Sequence, residues 1–290
     1  MVVSPVAASA RPFQPLSIDG LREMARINRV DVTNMFMAAG NGHFGSCFSC
    51  AEIMTALYFA VLRVDADQPH WVERDRFVMS KGHAAPSLYS ALIRRGFMPE
   101  AWIHEFEAKV GVKLMTHPSR RYQPGVDASS GALGHGLSLG VGMALAAQMD
   151  ARDYRVYVLL GDGELNEGSV WEAAASAAKY RLDQLVAVID ANGFCVDGTV
   201  DQILPLRPLS AVWEAFGWEV VEVEGHDLHA LLPALDVARG PRGGKPRAVI
   251  ARTVKGRGVS FMENVRSWHS DAITREQYQQ ALAELGELAQ

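Results

Sequence analysis

The sequence predicts an α/β fold, a parallel sheet with helices on both faces, and three observations carry that expectation. Residues 155–160 read as a buried strand, 170–180 as a helix and 185–189 as a second strand, which together form a βαβ crossover. Two later apolar runs, 219–223 and 248–253, repeat the strand signal with a helical segment at about 228–239 between them. Strands that alternate with helices need cover on both sheet faces.

The elements follow in chain order. Residues 1–16 hold small residues and prolines without a charged start and apolar core, so they read as a flexible tail and not as a secretory signal. Residues 17–290 read as one domain. Apolar residues recur at three- and four-residue steps over 18–39 and again over 51–63, predicting two helices. A short strand, 76–79, ends at Ser80-Lys81-Gly82-His83, and a helix follows over 86–94. The stretch 131–148 is rich in Gly and Ala, which predicts a helix approached closely by another backbone or by a ligand.

Composition narrows the function. The 290 residues are 49% hydrophobic and 21% charged, enough for a full core. The net charge of -5, without a Lys/Arg block, argues against nucleic acid and anionic membrane as partners. No run approaches the roughly 20 apolar residues of a membrane helix, and a cytoplasmic protein is expected. Three cysteines, Cys47, Cys50 and Cys195, suit a reducing compartment. Cys47 and Cys50 lack a second ligand pair for zinc and lead into an apolar helix, so they are expected to pack as inert thiols.

In a parallel sheet, ligands sit at the carboxyl ends of the strands. One strand of the crossover runs out at Gly161-Asp162-Gly163 and the other at Asp190-Ala191-Asn192. Asp162 and Asn192 lie about thirty residues apart, the length of one βαβ unit, so neighbouring strands would bring them to one crevice. A carboxylate, an amide and a loop carbonyl after Asn192 cannot fill an octahedral shell. Mg²⁺ completes such a shell with water and phosphate oxygens, and the pattern therefore implies a Mg²⁺-bound diphosphate. Gly161 and Gly163 permit close approach of phosphate, and the following helix start offers free N–H groups. Each piece alone would also be an ordinary turn.

Four histidines stand in distinctive contexts: Gly42-His43, Gly82-His83, Thr116-His117-Pro118 and Trp268-His269. Imidazoles that converge on sugar hydroxyls can steer protons and stabilise an alkoxide. His70, His104, His226 and His229 read as structural or exposed, and His135 stays open.

Gly42-His43-Phe44-Gly45, Ser80-Lys81-Gly82-His83, Thr116-His117-Pro118, Ser130-Gly131-Ala132-Leu133-Gly134, Gly161-Asp162-Gly163-Glu164 and Trp268-His269 occur in an order that resembles the transketolases, over about residues 20–275. The resemblance implies the diphosphate-binding domain of a thiamine-diphosphate-binding fold. It implies Asp162, Asn192 and the main-chain carbonyl of Phe194 as metal ligands. Gly161, Gly163 and Glu164 would lie at the diphosphate, and Gly131, Ala132 and Leu133 at the aminopyrimidine. His43, His83, His117 and His269 would line the substrate channel, with His83 and His269 also at the cofactor, and Glu167 would link paired active sites. Phe44, Cys47, Phe48 and His135 depart from the common pattern and leave the substrate open.

The family's pyrimidine-binding domain supplies the glutamate that activates the aminopyrimidine, and nothing here matches it. The resemblance thus implies the amino-terminal subunit of a split transketolase, in an α2β2 assembly with a carboxyl-terminal partner subunit. That enzyme would move a two-carbon ketol unit from a ketose, expected to be phosphorylated, to an aldose. The GDG-to-Asn pattern is shared by deoxyxylulose-phosphate synthases and 2-oxo-acid dehydrogenases, and a non-catalytic homologue that binds cofactor is a further alternative.

Overall fold

The computed structural model describes residues 14–107, 111, 113–236 and 244–287. Five strands, β1 (Arg76–Met79), β2 (Val156–Gly161), β3 (Leu185–Ala191), β4 (Glu219–Glu224) and β5 (Arg247–Arg252), form one sheet in the order β1-β2-β3-β5-β4. Every pairing is parallel. Around them lie α1 (Ile18–Ala39), α2 (Phe44–Ser49), α3 (Ala51–Ala56), α4 (Ala85–Arg94), α5 (Gly136–Met149), α6 (Gly168–Lys179), α7 (Val200–Ile203), α8 (Leu209–Ala215), α9 (Leu228–Leu235) and α10 (Arg275–Glu284).

The two faces of the sheet separate by strand alternation. Tyr157, Leu159, Val186, Val188, Val249 and Ala251 pack with residues of α1 to α4, α9 and α10, whereas Val158, Leu160, Ala187, Ile189, Ala248 and Ile250 pack with α5, α6 and α8. Burying each large side chain stabilises the fold by roughly 1.5–3 kcal/mol. All seven residues of β3 are buried, as a central parallel strand requires. The expected parallel sheet with helices on both faces is what the chain forms.

Local signals set most boundaries. The Ser17 hydroxyl accepts the Gly20 N–H at 3.2 Å to open α1, and Gly40, at φ 85°, closes it in the left-handed region. The helix expected over 51–63 is interrupted: after α3 the chain widens into a π turn, Leu57–Val61, where Leu62 N–H reaches Leu57 O at 2.8 Å. The wider turn keeps Leu57, Tyr58 and Phe59 buried together. The helix expected from residue 131 begins at Gly136, which leaves 131–135 as a loop. Its close neighbour is a strand side chain, since a Cβ on Gly140 would stand 2.5 Å from Val158 Cγ2.

The helix expected over 228–239 ends at Leu235, and residues 237–239 lie outside the described residues. Most of the proposed tail, residues 1–13, also lies outside them, while Leu16 N–H donates to Phe59 O at 3.0 Å. Among the described residues no helix is long and apolar enough to cross a membrane.

Candidate active site

Strands β2 and β3 are neighbours with Gly161 opposite Asp190, so the two turns that follow them leave the sheet at one edge. Asp162 and Asn192 are 7% and 8% exposed. The Asp162 carboxylate accepts Gly163 N–H at 2.9 Å and Gly193 N–H at 2.6 Å, which ties the two turns together. The Asn192 amide donates to Asp190 Oδ2 at 3.4 Å, and its oxygen accepts Phe194 N–H at 3.1 Å. Phe194 is held by an antiparallel bridge to Thr199.

Burial raises the Asp162 carboxyl to about 6, against the lowering effect of the Gly193 N–H. A bound cation would favour the ionised form. Among the described residues no three His, Cys, Asp or Glu side chains converge as a metal site. Any cation here would therefore meet mixed hard oxygens, namely Asp162, the Asn192 amide oxygen and the Phe194 carbonyl, with further ligands from outside the chain. That donor set fits Mg²⁺ carried by a diphosphate. A Cβ on Gly161 would meet nothing within 4 Å, so the backbone is open to a ligand there.

A buried ion pair underlies the turns. Lys81 and Asp190, 1% and 0% exposed, are in contact. Lys81 also donates to Ser46 O at 2.9 Å, while Asp190 accepts from Ser49 Oγ at 2.6 Å and from the Thr253 hydroxyl. Burial opposes both charges, but the partner's charge together with the surrounding polar groups outweighs it, so Lys81 is raised and Asp190 lowered. The pair joins the ends of β1, β3 and β5 to α2.

The histidines do converge. Gly42 and Asp271 exchange main-chain hydrogen bonds at 3.0 and 3.1 Å, bringing the Trp268-His269 segment beside His43. The ring centroids of His43, His83 and His269 lie 5.2 to 5.5 Å from one another. His117 flanks them: a Cβ on Gly82 would stand 3.1 Å from its Cδ2 and 2.9 Å from Gly131 N. Burial, then the charges of His117 and Lys255, lowers His43 to about 4; burial and Lys255 lower His269 to about 3. His83 is held well below the usual imidazole range by burial and by Lys81. These three rings are neutral at pH 7.

One cleft of about 470 Å³ is lined by Lys81, His83, Leu133, the Gly161–Glu164 turn, Asn192, Phe194 and His269, among others. Gly131 and Ala132 line a separate shallow hollow with His135. Glu167 is exposed at the start of α6, away from the cleft lining. His70, His104 and His229 are exposed; His226 donates to Glu52 at 2.8 Å and accepts Val254 N–H at 2.8 Å. Cys47 and Cys50 are buried free thiols, and burial pushes Cys50 up to about 11.

Sequence reasoning missed Lys255. It is fully buried, lies 3.1 Å from His269 Nδ1, and is lowered to about 8 by burial and by the charge of Lys81. With Lys255 donating, His269 keeps its own proton on Nε2. Gly45 makes room for it, since a Cβ there would stand 2.8 Å from Lys255 Cγ. The available signal was its place just beyond β5, at the carboxyl edge of the sheet.

The profile described as "Transketolase, thiamine diphosphate binding domain" matches residues 21–288. The apulose-4-phosphate transketolase subunit of Phocaeicola vulgatus is 41% identical over 275 residues, covering 94% of this chain and 96% of that protein. The 6-deoxy-6-sulfo-D-fructose transketolase subunit of a Clostridium species is 42% identical over 246 residues, 85% of this chain and 89% of its own. Human transketolase is 40% identical over 273 residues, but the chain spans only 42% of its length. Pichia stipitis transketolase, solved with sedoheptulose 7-phosphate, superposes with a TM-score of 0.85 at 30% identity, over 92% of this chain and 40% of that one. The chain belongs to the transketolase family, in its thiamine-diphosphate-binding domain.

Proposed function

We propose that this chain is the amino-terminal subunit of a two-subunit transketolase that transfers a two-carbon ketol unit from a ketose to an aldose. The observation that carries the reading is the pair of turns after β2 and β3, which puts Asp162 and Asn192 in one crevice with His83 and His269, two of a cluster of three neutral histidines. The names of the subunit relatives support a companion chain, and their substrates support a ketose with an anionic end.

Asp162, Asn192 and the Phe194 carbonyl would hold Mg²⁺, with Gly161 and Gly163 against the diphosphate and residues 131–133 toward the aminopyrimidine. Thiamine diphosphate, when bound, supplies the electron sink for carbon–carbon cleavage. The chain's own work is orientation and proton handling. His43, His83, His117 and His269 hydrogen-bond the sugar hydroxyls. His269 and His43 are weak bases, so they relay protons more readily than they retain them. Lys255, near 8 and in contact with His269, is placed to restore the proton. Glu167, exposed beside the loop before α5, would link paired active sites in an α2β2 assembly.

The test is ketol transfer across a panel of phosphorylated, sulfonated and neutral ketoses, by the chain alone and after mixing with a companion chain that carries the pyrimidine-binding domain. No turnover alone and turnover in the mixture are expected. Robust turnover by the chain alone would overturn the split-enzyme reading.

A further inference from the structure

Glu164 stands two residues after Asp162 and is 3% exposed, yet its carboxylate is committed to the protein's own framework. Its Oε1 accepts Gly134 N–H at 2.9 Å and the Ser80 hydroxyl, and its Oε2 accepts Gly161 N–H at 3.1 Å. The Ser80 oxygen in turn accepts Gly136 N–H at 3.1 Å. Three separate segments meet at one carboxylate: the end of β1, the end of β2 and the loop before α5.

That loop is hooked at other points too. Ser130 Oγ donates to Met79 O at 2.6 Å, and Ser169 Oγ donates to Gly134 O at 3.1 Å. Gly134 has φ +82°, and a Cβ there would stand 2.6 Å from Glu167 Cβ, so its backbone course tolerates little else. Leu133, its neighbour, lines the cleft together with Asp162.

We infer that Glu164 is a positioning residue which sets the spacing between the 131–134 loop and the Gly161–Gly163 turn through its carboxylate's hydrogen bonds to both. The inference rests on the cofactor reading above, because it assigns the two sides of that spacing to two ends of one ligand. An ionised carboxylate only accepts hydrogen bonds, and here it faces three donors. Glutamine in its place would turn an N–H against Gly161 N–H or against the Ser80–Gly134 side.

The test is calorimetric titration of the enzyme, reconstituted with its companion chain, with two probes in the presence of Mg²⁺: thiamine diphosphate, and inorganic diphosphate, which reaches the turn but not the loop. Ser80→Ala removes the hydroxyl that links Glu164 to Gly136 N–H, loosening the loop, and leaves the Glu164–Gly161 and Glu164–Gly134 bonds in place. It is expected to weaken thiamine diphosphate about tenfold and inorganic diphosphate less than about twofold, as the loss of one buried acceptor would. Glu164→Gln is expected to weaken thiamine diphosphate at least as much and to affect inorganic diphosphate a few-fold, through Gly161. Unchanged thiamine diphosphate affinity in both variants would overturn the positioning role, as would an equal loss of both probes in Ser80→Ala, which is what general loosening of the fold produces. Wild-type enzyme that binds neither probe would overturn the cofactor reading instead.

Discussion

At the amino ends of the strands, Asp75 accepts the N–H groups of Arg63 and Arg155, both at 2.8 Å, and Asp127 accepts Phe77 N–H at 2.9 Å while pairing with Arg74. At the carboxyl ends, Asp162 and Asn192 line a cleft with His83 and His269, and His43 and Lys255 pack against those rings, all four groups with displaced acidities. Both ends hold buried charge, and the amino end has the larger hollow, about 1390 Å³ against 470 Å³. Neither hollow size nor buried charge therefore marks the site. What separates the ends is where the polar groups point: at one they finish the ends of the sheet, and at the other they are stacked around open space.

The comparison breaks first at the histidines. His43→Ala or His117→Ala should lower turnover of the reconstituted enzyme by about a hundredfold, the scale of lost acid–base assistance. Cofactor affinity in a parallel titration should stay near the wild-type value. Full activity in either variant would move that histidine to the structural group with His226.

Asp75→Ala tests the opposite end. Two main-chain N–H groups lose their acceptor, and a midpoint about 5 °C lower is expected in a thermal melt. Affinity for thiamine diphosphate should not change. A large loss of affinity would erase the distinction between the two ends.

The smallest effect is on pH dependence. Because His43 titrates near 4 in the folded chain and near 6.5 when unfolded, the unfolded chain binds more protons across that window, and stability rises with pH through it. His269, at about 3, acts in the same direction and extends the window downward. Melting midpoints should fall as the pH drops from 6.5 toward 4, and less steeply in His43→Asn and His269→Asn. Parallel profiles for wild type and variants would contradict the assigned acidities.

Much of this was legible in the sequence, for identifiable reasons. Ser17 and Gly40 bracket α1 with local cap chemistry, and the β2–α6–β3 crossover states its own handedness and partner, so Asp162 and Asn192 could be brought to one edge from spacing alone. The π turn at Leu57–Val61 could not be read, because apolar spacing is the same whether a helix continues or widens by one residue. Lys81 was visible within its motif but not as the partner of Asp190, a contact between β1 and β3 edges set by packing across the sheet. Lys255 was hidden for the same reason: the segment that carries His269 is anchored by the pairing of Asp271 with Gly42, which lies far from both Lys255 and His269 in sequence.

The central claim is that the turns after β2 and β3 hold a metal-bound diphosphate, and calorimetric titration of thiamine diphosphate into the reconstituted enzyme, with and without Mg²⁺, tests it most directly. Wild type should bind only with Mg²⁺, and Asp162→Ala and Asn192→Ala should bind in neither condition while keeping the wild-type circular dichroism spectrum. Wild-type affinity in both variants, or binding indifferent to Mg²⁺, would contradict the account.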